Sequence, residues 1–150
     1  MNTDPLALDN QVCFALYAAN RAMTSLYRPL LDALGLTYPQ YLVMLVLWEA
    51  QGQSAEGAPT VTVSSIGERL RLDSGTLTPL LKRLEHRGLV TRRRRETDER
   101  VVDVALTPDG QQLRTQALTV PGDMLCRSGL DVEQADQLRR NLRLLLDQFS

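Results

Sequence analysis

The segment DSGTLTPLLKRLEHRGLVTRRRRETDERVVDVAL, residues 73–106, decides the fold. Its first half predicts a helix capped by Asp73 or Ser74, because both side chains can accept hydrogen bonds from the free N–H groups of a helix start. This helix runs to about Arg87, and Gly88 ends it. Four leucines at helical spacing predict one buried face. They are Leu77, Leu80, Leu81 and Leu84.

The second half predicts a two-stranded ribbon. Apolar residues alternate along Arg100–Leu106, and the strand pairs with Leu89–Arg95 around the turn Glu96–Glu99. Ahead of the segment, Ser64 can cap a short helix over Ser65–Leu70. Two short helices followed by a tight ribbon indicate a winged helix-turn-helix, in which the helix from Asp73 would be the recognition helix.

Apolar periodicity predicts four further helices around this unit. The first runs from Asn10 to Leu34, and Pro29 is expected to kink it. The second, capped by Thr37, is apolar on nearly all sides and is expected to be buried. The predicted ranges that follow are Pro39–Ala50 for this second helix, a loop over Gln51–Pro59, a helix capped by Thr107 that ends near Pro121-Gly122, and a last helix over Val132–Phe149.

The predicted fold class is therefore mainly α with a two-stranded wing. A chain of 150 residues suits a single domain. Within it, residues 63–107 form the DNA-binding part, and residues 9–50 and 108–150 supply helices for dimerisation. No apolar run is long enough to cross a membrane and the first residues do not resemble a secretion signal, so we expect a cytoplasmic protein.

The charges are unevenly distributed. The net charge is −1, but ten of the 17 basic and six of the 18 acidic residues lie between Val63 and Arg100, which leaves that segment at +4 and the remainder at −5. A positive segment on an acidic chain is typical of a nucleic-acid site, although an ordinary solvated face would have the same composition.

The predicted DNA contacts come from the recognition helix and the wing. With the leucines facing inward, the hydroxyl and cationic residues of the helix remain for the major groove. Adjacent arginines repel one another unless an anion is present, and a ribbon with an arginine tip suits a minor groove. Asp98 can hold the Arg100 guanidinium in place. The full predicted set is Ser74, Thr76, Thr78, Lys82, Arg83, Arg92, Arg93, Arg94, Asp98 and Arg100.

A stripe of sulfur, phenol and polar side chains follows one face of the first helix: Cys13, Tyr17, Asn20, Thr24 and Tyr27. Cys13 and Tyr27 are separated by about 21 Å along a helix, so they can meet only if two copies cross in antiparallel orientation. The phenols of Tyr27 and Tyr38 could then stabilise a reactive thiolate. The alternative is an inert, buried cysteine among packing tyrosines.

The second cysteine, Cys126, is the only other thiol in the chain. Two cysteines 113 positions apart form neither a disulfide framework nor a zinc site. A sulfenic acid on Cys13 would condense readily with a second thiol, and Cys126 lies in a predicted connection, residues 122–129. It could equally be a spectator.

At these residues the chain resembles the organic hydroperoxide resistance regulators, a branch of the MarR repressors. The resemblance is carried by NQVCFALY at 10–17, TYPQYL at 37–42, LWE at 47–49, LDSGTLTPLLKRLE at 72–85 and DER at 98–100. It implies that Cys13 is the peroxidatic cysteine, hydrogen-bonded by Tyr27 and Tyr38 across a dimer, and that Tyr17 lines the same pocket. It also implies that Asp98 and Arg100 form the wing tip, and that Cys126 is the resolving cysteine of a two-cysteine branch.

The predicted function is a redox-sensing repressor, not an enzyme, with no cofactor and no metal. A homodimer would bind double-stranded operator DNA and release it when an organic hydroperoxide oxidises Cys13, with an intersubunit disulfide to Cys126. One rival is a repressor of the same family that responds to a phenolic ligand, with both cysteines as bystanders. A thiol peroxidase is the other, but the chain lacks a redox fold and a Cys-x-x-Cys pair.

Overall fold

The computed structural model describes residues 3–53 and 60–149. A short 3₁₀ turn, Leu8–Asn10, precedes the first helix. The helices and strands are α1 (Val12–Asp32), α2 (Tyr38–Gly52), α3 (Val63–Leu70), α4 (Ser74–His86), β1 (Val90–Arg95), β2 (Asp98–Leu106), α5 (Pro108–Ala117), α6 (Val120–Ser128) and α7 (Val132–Asp147). The predicted class, mainly α with a two-stranded antiparallel wing, is confirmed.

The chain divides into two compact units. The first comprises residues up to Leu30 and from Thr119 onward, and the second comprises Leu31–Leu118, which contains the helix-turn-helix and the wing. One boundary falls within the residue range of α1, and the other falls between α5 and α6.

In the first unit very few side chains are buried. Only Val120 and Met124 are buried among its described residues, and none of the described residues of α7 is. The apolar stripe predicted along α1 is largely half-buried or exposed, and Val12 is 70% exposed. The helix is also shorter than predicted, because Gln11 adopts an extended conformation before it and Gly35 follows it at φ +65°. Pro29 lies inside α1.

The second unit has a continuous apolar core. The predicted inner face of α4 is confirmed, since Leu77, Leu80, Leu81 and Leu84 are all buried. They share the core with residues of α2, α3 and the two strands: Val43, Met44, Leu47, Ile66, Val90 and Val104. The indole Nε1 of Trp48 donates a 2.9 Å hydrogen bond to the carbonyl of Gly110, which connects α2 with the start of α5.

Side-chain caps fix the starts of α2, α3 and α4. Thr37 and Gln40 form a capping box at α2, and Asp73 caps α4. The predicted cap of α3 was wrong by two residues: Thr62, not Ser64, accepts from Ser65 N–H, and the Ser65 hydroxyl accepts from Thr62 N–H. A reciprocal pair satisfies two free donors, whereas Ser64 lies inside the first turn of the helix.

The wing turn is tighter than predicted, since β2 begins at Asp98 and only Glu96 and Thr97 lie between the strands. Arg94 pairs with Val102 but Arg95 pairs with Asp98, so three residues of β2 bulge at the tip. A third segment covers the outer edge of β2: Thr62 pairs with Asp103, and Val104 N–H donates to the Val61 carbonyl at 2.9 Å.

Helix boundaries on either side of the helix-turn-helix also differ from the predictions. Helix α2 extends to Gly52, so the predicted loop begins later than Gln51, and residues 54–59 of that loop lie outside the described part of the chain. Pro121-Gly122 does not end a helix but lies in the first turn of α6, where a proline needs no N–H partner. The connection predicted at 122–129 is therefore mostly helical.

Over residues 3–53 and 60–149, no helix combines the length and the apolar character that a membrane crossing requires.

Candidate nucleic-acid interface and thiol site

The outer face of α4 presents small hydroxyl and cationic side chains. Ser74, Thr76, Lys82 and Arg83 are exposed, and Thr78 is half-buried. The carboxylate of Asp73 accepts from Thr76 N–H at 2.7 Å, and this hydrogen bond holds the pKa of Asp73 below its ordinary value. The first turn of α4 is thereby fixed, with the residues Ser74 and Thr76 exposed.

Basic residues also surround a shallow cavity at the C-terminal end of α4. Its volume is about 560 Å³. The Arg87 guanidinium donates to the carbonyls of Gly35 and Leu34, which joins the loop after α1 to the end of α4. The lining residues are Gly35, Gln40, Lys82, Arg83, His86 and Arg87.

At the wing tip, Asp98 holds Arg100 as the sequence predicts. The Arg100 Nε donates to Asp98 Oδ1 at 3.1 Å, and this bond holds the pKa of Asp98 below its ordinary range. The Arg100 side chain is nevertheless 91% exposed. Arg94 donates to the carbonyl of Glu99 at 3.0 Å, across the bulge. The tip therefore presents a restrained guanidinium to solvent.

The four adjacent arginines do not behave as one unpaired cluster. Arg95 forms a 2.6 Å ion pair with Asp103 and donates to the Thr60 hydroxyl at 3.0 Å. Arg92 pairs with Glu85 at 3.1 Å, and only 21% of its side chain is exposed. The expectation that these arginines lack partners without a bound anion was thus wrong for two of the four, because the fold brings Glu85 to Arg92 and Asp103 to Arg95.

Sequence reasoning missed these carboxylate partners. Asp103 lies opposite Arg93 in the hairpin register, so its bond to Arg95 is a diagonal contact that strand alternation could have suggested. Glu85 lies seven residues before Arg92 across a turn, and no local periodicity relates the two.

The thiol stripe lies on an unbroken helix. Cys13, Tyr17 and Tyr27 all belong to α1, and Cys13 is exposed. The guanidinium of Arg21 lies 5.6 Å from the centre of the Tyr17 ring, a cation–π contact that the sequence did not suggest. Cys126 is also an exposed free thiol, on α6 instead of in a loop.

Tyr38 lies in the second unit, as the first residue of α2. It is half-buried, and its ring centre lies 6.4 Å from that of Tyr41. Burial raises the pKa of the Tyr38 phenol. The group therefore remains protonated at neutral pH and can donate a hydrogen bond.

The whole chain has relatives among transcriptional regulators. The family model described as transcriptional regulator SarA/Rot matches residues 25–116. The organic hydroperoxide resistance transcriptional regulator of Bacillus subtilis is 50% identical over 144 residues, which cover 96% of this chain and 92% of that protein.

Solved structures of AbfR from Staphylococcus epidermidis are similar over nearly the full length. Reduced AbfR bound to DNA has a TM-score of 0.72 and 37% identity, and the match covers 95% of this chain and 94% of AbfR. Disulfide-formed AbfR has a TM-score of 0.62 and 39% identity, with 93% and 92% covered. From its winged helix-turn-helix and these relatives, the chain belongs to the MarR family of transcriptional regulators and, within it, to the organic hydroperoxide resistance regulators.

Proposed function

We propose that this protein is a dimeric repressor that binds operator DNA while Cys13 is reduced and releases it when an organic hydroperoxide oxidises Cys13. The observation that carries the proposal is the exposed thiol of Cys13 on the same α1 stripe as Tyr17 and Tyr27. The hydroperoxide regulator of Bacillus subtilis supports the inducer class. AbfR, solved reduced on DNA and with a disulfide, supports a redox mechanism.

DNA recognition would use two elements of the second unit. The exposed face of α4 enters the major groove, where the Ser74 and Thr76 hydroxyls meet phosphates or base edges and Lys82 and Arg83 neutralise backbone charge. The wing enters the adjacent minor groove. Its restrained Arg100 is the best placed of the wing arginines, because Asp98 reduces the freedom that the side chain would lose on binding. Arg93 and Arg94 are also exposed, and they lie farther from the tip on β1.

The dimer interface would lie in the first unit. All but two of the large apolar side chains that are exposed in the described chain belong to this unit, the exceptions being Leu45 and Leu118. Exposed apolar surface of this extent marks an interaction site. A two-fold axis would also supply two recognition helices for the two halves of a palindromic operator.

Oxidation would proceed in two balanced steps. The Cys13 thiolate attacks the terminal oxygen of the hydroperoxide, an S–O bond forms as the O–O bond breaks, and the alkoxide takes up a proton and leaves as the alcohol. Tyr27 and Tyr38 of the partner subunit would donate hydrogen bonds to the thiolate. The Cys126 thiol of the partner subunit then attacks the sulfenic sulfur, so that an S–S bond forms and water leaves.

The test is a gel-shift titration on a duplex that the reduced wild-type protein selects from a random pool. Treatment with cumene hydroperoxide should release the duplex, and a thiol reductant should restore binding. Cys13→Ser should bind equally well and no longer respond. If that variant still releases DNA on peroxide treatment, Cys13 is not the sensor. If the wild type loses no thiol at low peroxide, the protein is instead a ligand-gated regulator.

Cys126 has a separate test. On a non-reducing gel, peroxide-treated wild type should run as a covalent dimer and Cys126→Ala should not. A cross-link that persists in the variant removes Cys126 from the mechanism.

A further inference from the structure

One carboxylate of the recognition helix hydrogen-bonds to the wing. Glu85, near the end of α4, accepts two hydrogen bonds from one residue of β1: Oε2 from the Arg92 backbone N–H at 2.9 Å, and Oε1 from the Arg92 guanidinium at 3.1 Å. We infer that Glu85 is a positioning residue, which fixes the wing relative to the recognition helix, and that Arg92 acts through Glu85 instead of binding DNA. The inference rests on the proposed function, since it concerns how DNA is read.

The backbone contact is specific to this position of the strand. Arg92 pairs with Val104, whose N–H donates away from β1 to the Val61 carbonyl. In an antiparallel ladder the N–H groups of such a pair both point outward. The Arg92 N–H thus lies on the free edge of β1, and Glu85 is its acceptor. Without Glu85, Arg92 would form no hydrogen bond to α4.

The ion pair with Glu85 also restrains the Arg92 side chain. Its side chain is only 21% exposed, and its Nε is the one buried side-chain nitrogen or oxygen without a hydrogen-bond partner among the described residues. Glu85 already holds one nitrogen of this guanidinium, and little of the side chain is accessible to a DNA phosphate. The neighbouring Arg93 is exposed and needs no such rearrangement. The hydrogen bonds from Arg92 also hold the pKa of Glu85 below its ordinary value, so the carboxylate is charged at neutral pH.

If Glu85 positions the wing, its removal should weaken specific DNA binding. The loss of its negative charge alone would strengthen DNA binding. Glu85 is an acid in the basic segment, so its removal should strengthen non-specific DNA binding, which depends on net charge. Specific binding requires α4 and the wing to reach their grooves together. A wing that is no longer fixed must be ordered on binding, which weakens only the specific complex.

The experiment compares Glu85→Ala with Glu68→Ala. Glu68 is an exposed acid on α3, so both variants lose the same charge from the same unit. Affinity is measured on the duplex selected by the wild type and on a shuffled duplex of equal composition. Glu85→Ala should bind the selected duplex on the order of tenfold more weakly, and the shuffled duplex equally or more tightly. Glu68→Ala should not weaken binding to either.

Footprinting provides a readout that a general loss of folding would not mimic. Glu85→Ala should lose hydroxyl-radical protection in the minor groove while major-groove methylation protection remains. Glu85→Gln, which retains one neutral acceptor for the Arg92 N–H, should lie between wild type and Glu85→Ala, and it takes the place of the alanine variant if that variant does not fold.

The outcomes separate the two proposals. An unchanged ratio of selected to shuffled affinity in both Glu85 variants overturns the positioning role. If the wild type enriches no duplex from the pool, the proposed DNA-binding function itself fails.

Discussion

Gly110 provides a sharp test of how α5 docks on the second unit. A Cβ at this position would collide with the Leu89 carbonyl and lie 3.1 Å from Cδ2 of Leu106. Overpacking of this kind costs about 1–3 kcal/mol, and displacement of α5 would also weaken the Trp48–Gly110 hydrogen bond, which contributes about 1 kcal/mol. Alanine returns about 0.5–1 kcal/mol of helix propensity. We therefore expect Gly110→Ala to lower the free energy of unfolding by about 2 kcal/mol.

The chain offers a matched control. Gly122 is the third residue of α6, as Gly110 is of α5, and a Cβ there would meet nothing within 4 Å. Gly122→Ala should raise the free energy of unfolding by about 0.5 kcal/mol. Urea unfolding at one fixed protomer concentration measures both changes, by circular dichroism and by the fluorescence of Trp48, the only tryptophan. Coincident unfolding curves for the two variants would refute the close approach of α5 to Leu89.

Three further predictions follow from contacts described above. Thr62→Ala should lower the free energy of unfolding by about 1 kcal/mol because it removes the α3 cap, whereas Ser64→Ala should change it little in the same urea assay; the reverse order would restore Ser64 as the cap. Arg93→Gln should reduce the slope of log affinity against log salt by about 1, and Arg92→Gln should leave the slope unchanged if its guanidinium stays with Glu85; equal slopes for the two variants would contradict this. Because the pKa of Glu85 is lower in the folded protein, its contribution to stability is present above the ordinary glutamate pKa, about 4.3, and disappears as pH falls through the folded value. Glu85→Gln should therefore flatten the loss of thermal stability between about pH 5 and 3, and a parallel loss in wild type and variant would exclude a role for this carboxylate.

The helix-turn-helix could be predicted from sequence because its signals are local. Each of these signals depends on residues that are close together in the sequence. They are the four leucines of α4, the Asp73 cap and the alternation along β2. Within residues 63–106, the order of elements and the buried face of α4 are consequently confirmed. The Asp98–Arg100 contact was also predictable, since its partners are two residues apart.

The errors arise where one residue type has two roles. The sequence predicts a helix end at Pro121-Gly122, but proline is equally suited to a helix start, and nothing local distinguishes the two. The arginine run predicts side chains that repel one another until an anion binds, although the fold brings carboxylates to Arg92 and Arg95. Tyr17 has an Arg21 partner that spacing permits but does not require. The roles of Cys13, Cys126, Tyr27 and Tyr38 remain predictions, because they depend on a second subunit.

The scarcity of buried side chains in the first unit has a consequence for how much active regulator a cell contains. With Val120 and Met124 as its only buried residues among those described, this unit gains little hydrophobic stabilisation within one protomer. Its folding would then be completed by association, so that stability rises with protein concentration. Newly synthesised protomers would remain open to proteases until each meets another. Degradation of unassociated protomers would therefore set a minimum expression level, below which too few dimers form for repression to begin.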